Sequence, residues 1–164
     1  YKDLSVLQFD AHPDLYDEWE ESYYSHACTM RRISEISPFV QVGIRCISSE
    51  EAEFIEENKI KVIMAKDYLE KRCDIKEVLT ALSDHVYITV DLDVLDPSIM
   101  PSVGTPEPGG LLWYDLLSIL KMVIKDKTIV GFDVVELCPI PGNTAPDFLA
   151  AKLVYKMISY IFDK

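Results

Sequence analysis

The chain contains no apolar run approaching the roughly 18 to 20 residues that a membrane-spanning helix needs, which excludes a helical membrane span within it. It also lacks a basic, then apolar, then small-residue opening of the kind that directs secretion. Positive charge is scarce. Sixteen Lys and Arg stand against 28 Asp and Glu, a net charge of -12, the wrong sign for gripping a phosphate backbone. Nucleic-acid and membrane partners are therefore disfavoured, and cationic ligands and metals favoured. There is no Cys-x-x-Cys pair: Cys28, Cys46, Cys73 and Cys138 are scattered singly, as expected of reduced thiols in a cytoplasmic protein. Histidine is rare as well, with only His12, His26 and His85. No initiator Met is present, and Tyr1 lies just ahead of what reads as a core strand. The expectation is a chain that natively extends further N-terminally.

Repeats, low-complexity tracts and linkers are also missing, and 164 residues fit one domain spanning 1–164. Short runs rich in β-branched and aromatic residues at 4–9, 39–44, 60–64, 86–90 and 129–135 read as buried strands. Between them lie helical patterns at 28–36, 75–82 and 112–124, and one led by Ser48 with Glu51 in capping-box position. A final helix starts near Asn143 and Thr144, takes Pro146 in its first turn and sets Leu149, Leu153, Met157 and Ile161 on one stripe. This alternation predicts an α/β fold, a three-layer α-β-α sandwich around a mostly parallel sheet. The long irregular segment 96–110 follows a doubly acidic strand end and reads as an active-site loop.

In open α/β sheets ligands gather beyond the carboxyl ends of the strands. Here the first strand delivers Asp10, His12 and Asp14, the fourth Asp91 and Asp93, and the fifth Glu136. Several carboxylates buried together are too costly unless cations neutralise them. Oxygen-rich ligation with one imidazole suits a hard to borderline divalent ion such as Mn²⁺, and the ligands are too numerous for one ion. Two ions activating water point to metal-assisted hydrolysis.

The stretches Asp10-Ala11-His12-Pro13-Asp14, Ser25-His26-Ala27, Thr89-Val90-Asp91-Leu92-Asp93-Val94-Leu95-Asp96-Pro97, Gly104-Thr105-Pro106-Glu107-Pro108-Gly109-Gly110-Leu111 and Glu136-Leu137-Cys138-Pro139 together resemble the ureohydrolase family of arginases and agmatinases, the agmatinases most. The resemblance implies an arginase-like fold of which this chain is the C-terminal portion. It implies a binuclear manganese centre, with Asp10 and Asp91 bridging two Mn²⁺, His12 and Asp93 completing one ion and Asp14 belonging to the other. It makes His26 the proton-shuttling histidine and Glu136 the carboxylate that holds the guanidinium. A metal-bridging hydroxide would attack the guanidinium carbon, Asp14 would pass a proton to the leaving amine, and urea would depart. A cytoplasmic enzyme of polyamine biosynthesis, assembled as a homo-oligomeric trimer or hexamer, is the implied setting. One family ligand is not matched: a histidine in a Gly-Gly-Asp-His motif upstream, for which residues 1–9 offer no candidate.

The segment 15–24 holds four acids and four aromatics, a wall that would repel a carboxylate and receive an amine tail. That favours agmatine, giving putrescine and urea, over arginine or guanidinobutyrate, with other guanidino amines open. Taken alone, the acidic run is equally a solvated face. Arg45, at the end of the second strand, is open to the acidic rim or to a subunit contact. Two rivals remain: an aspartyl-phosphate phosphatase, suggested by Asp91-Leu92-Asp93 but leaving His12 and His26 unexplained, and a non-catalytic metal-binding fragment.

Overall fold

A computed structural model describes residues 1–163. The chain runs β1 (Leu4–Phe9), α1 (Thr29–Ser34), β2 (Phe39–Ile44), α2 (Ser49–Asn58), β3 (Lys61–Met64), α3 (Ala65–Leu69), α4 (Glu77–Ala81), β4 (His85–Asp91), α5 (Trp113–Asp126), β5 (Thr128–Val135) and α6 (Ala145–Phe162), with 3-10 turns at His26–Cys28 and Leu92–Val94. The strands pair in the order β3-β2-β1-β4-β5, every pairing parallel. The chain therefore builds outward from β1 in one direction and then in the other. The reversal falls between β1 and β4.

Side-chain alternation explains the layers. Leu7 and Phe9 of β1, Val40 and Val42 of β2, and Val86, Ile88 and Val90 of β4 share one cluster with Leu116, Leu120 and Val123 of α5 and Leu153 and Met157 of α6. The intervening positions Val6 and Phe39 face the opposite side, against Met30 and Ile33 of α1 and Phe54 and Ile55 of α2. Helices cover both faces, giving the three-layer α/β sandwich. Each fully buried Leu or Ile contributes about 1.5 to 3 kcal/mol relative to exposure.

Local signals set the helix ends. In α2, Ser48 Oγ accepts from Glu51 N–H at 3.2 Å and Glu51 Oε2 accepts from Ser48 N–H at 3.0 Å, the reciprocal capping box. Pro146 occupies the first turn of α6, where its missing N–H costs nothing. Leu153 and Met157 of the expected stripe are fully buried, and Leu149 and Ile161 pack partly against the same core. Two features differ from expectation. The helix expected over 28–36 is preceded by a 3-10 turn and is regular only over Thr29–Ser34; Asp14 C=O takes the Met30 and Arg31 N–H groups at its start, and Ile33 C=O takes those of Ile36 and Ser37 at its end. The short α3 carries too little periodicity in five residues to be read from sequence.

The segment 96–110 is ordered around Asp96, whose carboxylate accepts from Ser98 (3.0 Å), Gly109 (2.9 Å) and Gly110 (3.1 Å) N–H groups. Met100, Ser102 and Val103 within it are buried. A Cβ on Gly110 would lie 2.5 Å from Asp96 N and 2.6 Å from Leu95 C, so only glycine permits this approach.

Candidate metal centre and its cleft

At the carboxyl ends of β1, β4 and β5 lies a cleft of about 700 Å³, lined among others by Asp10, His12, Asp14, His26, Asp91, Asp93 and Glu136. It sits at the topological switch point between β1 and β4, where open parallel sheets leave a crevice. All seven residues singled out by sequence thus share one cavity. They are not equally close. Single ligand atoms of Asp10, His12 and Asp93 lie within 4.8 Å of one another, whereas Asp14 and Asp91 line the same cleft outside that cluster. His26, exposed at the start of its 3-10 turn, and Glu136, exposed just past β5, occupy the rim.

The core of the cluster is held rigidly. His12 Nδ1 lies 2.9 Å from Asp93 Oδ2 and 3.6 Å from Asp10 Oδ1. Ala11 N–H donates to Asp93 Oδ1 at 3.0 Å, His12 N–H to Asp10 Oδ1 at 2.6 Å, and Asp93 N–H to Asp91 Oδ1 at 2.9 Å. Thr105 Oγ1 donates to Asp93 Oδ2 at 3.3 Å, which brings segment 96–110 to the cluster. Asp14 and Glu136 both adopt left-handed backbone, with φ of 55° and 65°, conformations that non-glycine residues hold only where the surroundings impose them.

Electrostatics state what the cluster wants. Burial, the largest cause in each case, pushes Asp10, Asp14 and Asp91 above the usual carboxylate range. Burial acts the same way on Asp93 but is outweighed by the His12 hydrogen bond and the Ala11 N–H, and the net shift is downward. Hydrogen bonds to Asp10 and then Asp93 raise His12 to about 11. Protons here do the neutralising that a cation would do. An oxygen-rich donor set with one imidazole fits a hard to borderline divalent ion.

Several contributors were not legible in the sequence. Gln41 Nε2 donates to Gln8 Oε1 at 2.5 Å and to Pro13 C=O at 2.7 Å, and Gln8 Nε2 donates to Asp10 Oδ2 at 2.7 Å, a buried amide relay that aims Asp10. The only trace of it was a Gln inside each of two mainly apolar strands. Asp133 lines the cleft and accepts from Tyr87 Oη at 2.8 Å and Thr89 Oγ1 at 2.7 Å. Glu51, read only as a helix cap, also accepts from Leu15 N–H at 3.1 Å and so fixes the backbone next to Asp14. The Arg45 side chain donates to the carbonyls of Gly43, Asp93, Glu107 and Pro108 at 2.6 to 3.2 Å, stitching segment 96–110 to the strand ends beside the acidic rim.

The acidic wall over 15–24 is corrected in part. Leu15 is core, and Asp17 is engaged by Arg32 at 2.6 Å and Arg31 at 3.7 Å of α1. Of the segment's acids and aromatics only Tyr16 and Trp19 line the cleft, their rings 4.9 Å apart. His85 is far from the centre, paired with Asp3 at 2.9 Å at the opposite end of the sheet.

Comparison with known proteins agrees with this geometry. The family model described as the Arginase family matches residues 1–159. The chain is 43% identical over 157 residues to the N(1)-aminopropylagmatine ureohydrolase of Thermus thermophilus, covering 95% of the chain and 53% of that protein. It is 41% identical over 162 residues to the mitochondrial arginase of Medicago truncatula, covering 94% and 47%. The solved agmatine ureohydrolase of Thermoplasma volcanium superposes with a TM-score of 0.86 at 35% identity, over 98% of this chain and 56% of that one. The chain spans about half the length of the curated relatives it matches. With the motifs, the parallel fold and the family match in agreement over nearly its whole length, the chain belongs to the arginase family.

Proposed function

We propose that this protein is a manganese-dependent ureohydrolase that releases urea from a guanidino compound with a cationic tail, agmatine or its aminopropyl derivative. The observation that carries the reading is the convergence of Asp10, His12, Asp14, Asp91 and Asp93 at the floor of one cleft whose rim carries His26 and Glu136. Asp10, His12, Asp14, Asp91 and Asp93 would hold two divalent ions. Bound there, such ions lower the pKa of water enough to supply a nucleophile near neutral pH.

The chain's own residues do the rest. Glu136 holds the guanidinium by charge-assisted hydrogen bonds and turns its carbon toward the floor. Asp14 carries a proton to the amine nitrogen as the C–N bond breaks, and His26 exchanges protons with solvent. Water adds to carbon, and the products are urea and an amine. Among the described residues no Lys or Arg lines the cleft, while Tyr16 and Trp19 do. A substrate carboxylate finds no cationic partner there, whereas an ammonium tail finds aromatic faces and a field set by a net charge of -12. Assembly as a trimer or hexamer belongs to the same proposal, on family resemblance.

The test is Mn²⁺-dependent urea release by the natural protein from agmatine, N1-aminopropylagmatine and arginine. Turnover of either amine with kcat/KM at least about tenfold above arginine, a difference of about 1.4 kcal/mol, is the expected result. Preference for arginine would overturn the substrate reading. No urea from any of the three with Mn²⁺ bound would leave a metal-binding protein without this activity.

A further inference from the structure

Beside the carboxylate cluster, and sharing His12 with it, lies a second grouping of different chemistry. Single ligand atoms of His12, Cys46 and Glu107 all lie within 4.8 Å of one another, each residue half-buried. We propose that these three side chains form a site for a thiophilic divalent cation such as Zn²⁺ or Cd²⁺, sharing His12 with the carboxylate centre, so that filling this site competes with filling that one.

The three residues come from separate segments, and hydrogen bonds from the backbone of Arg45 and Cys46 and from the Arg45 side chain draw those segments together. Arg45 and Cys46 N–H groups both donate to Ala11 C=O, at 2.9 and 3.1 Å, which sets Cys46 alongside His12. Arg45 then donates to Glu107 C=O at 2.8 Å and to Pro108 C=O at 3.2 Å, which brings Glu107 to the same place. An imidazole nitrogen, a thiolate and a carboxylate are the donor types of zinc, and three protein ligands leave a fourth position for water. Mn²⁺ and Mg²⁺ prefer the oxygen-rich side. Ligand separations around a tetrahedral ion are roughly 3.5 Å, within reach of side-chain rotation from those seen. Binding replaces the S–H bond of Cys46 by an S–metal bond, and the proton leaves to solvent. His12 Nδ1 faces Asp93 at 2.9 Å; a cation beside Cys46 either takes that nitrogen or sits on the ring's other one, where its charge opposes a second cation on the same imidazole. The site itself does not depend on the ureohydrolase reading, although the competition rests on the metal centre proposed there, and failure of urea release bears on neither arm of its test.

Cd²⁺ is titrated into the metal-free natural protein while the ultraviolet thiolate-to-cadmium charge-transfer band is followed. The expected result is a saturable band in wild type and in Cys138→Ser, none in Cys46→Ser, and an affinity lowered more than about tenfold in Glu107→Gln and in His12→Asn. A variant-free arm covers misfolding: bound Cd²⁺ should protect Cys46 from iodoacetamide, read by peptide mass. Absence of the band, its survival in Cys46→Ser, unchanged affinity in both Glu107→Gln and His12→Asn, or unprotected Cys46 overturns the proposal.

Discussion

Asp93 concentrates more of the centre than any other residue. It accepts from Ala11 N–H and Thr105 Oγ1, pairs with His12, and through its own N–H fixes Asp91. Asp93→Asn keeps the size and loses the charge, so Mn²⁺-dependent urea release should fall to background with far-ultraviolet circular dichroism unchanged; so should His12→Asn. Undiminished turnover in either would remove them from the machinery. Glu136→Gln should separate the two roles differently, abolishing turnover while Mn²⁺ content by elemental analysis stays at the wild-type level. At this scale the sequence was most informative about residues that act through type and spacing, such as Asp10, His12 and Asp14. It was least informative about those that act across strands: Gln8 meets Gln41 from 33 positions away, and no local pattern encodes such a meeting. Cys46 is a similar case, because its proximity to Glu107 depends on where Arg45 fastens a distant loop.

Among the elements, the strands were legible because each is a short β-branched run with turns on both sides, and their observed bounds differ from expectation by a residue or so. Helix ends were legible where chemistry marks them, as at Ser48 and Pro146. They were lost where tertiary bonds decide, as where Asp14 C=O takes the first N–H groups of α1. The cap of α2 has a wider role, since Glu51 is buried and accepts from Ser48 N–H, Ser48 Oγ and Leu15 N–H. Glu51→Ala leaves two backbone donors unpaired, at a cost of about 1 to 3 kcal/mol, measurable by urea denaturation; no shift in midpoint would show the bonds to be dispensable. Gly110→Ala drives a methyl into the backbone at Asp96 and into Arg45 Nη2 at 2.7 Å. The expected outcome is a lower kcat, as segment 96–110 withdraws Thr105 from Asp93, with most of the melting temperature retained.

For the molecule as a whole, the donor cluster links stability to pH. Burial raises Asp10, Asp14 and Asp91 above their usual 3.8, so above that pH the folded, metal-free protein binds more protons than the unfolded chain. Stability then declines as pH rises. His12 works in the same direction: raised from 6.5 to about 11, it contributes fully below 6.5 and loses that contribution as pH climbs toward 11. Metal-free protein should melt at a lower temperature at pH 8 than at pH 5, and Mn²⁺ should raise the melting temperature more at pH 8, where fewer protons compete. A metal-free melting temperature that increases over this interval would show that protons do not take the cation's place. The parallel order β3-β2-β1-β4-β5 also has a temporal side. The bond from Ala11 to Asp93 closes a span of 82 positions, and β1, central in the finished sheet, has one bare edge until β4 is made. β1, β2 and β3 all precede the strand that completes the donor set, so Asp10, His12 and Asp93 come together only once β4 has paired across that span.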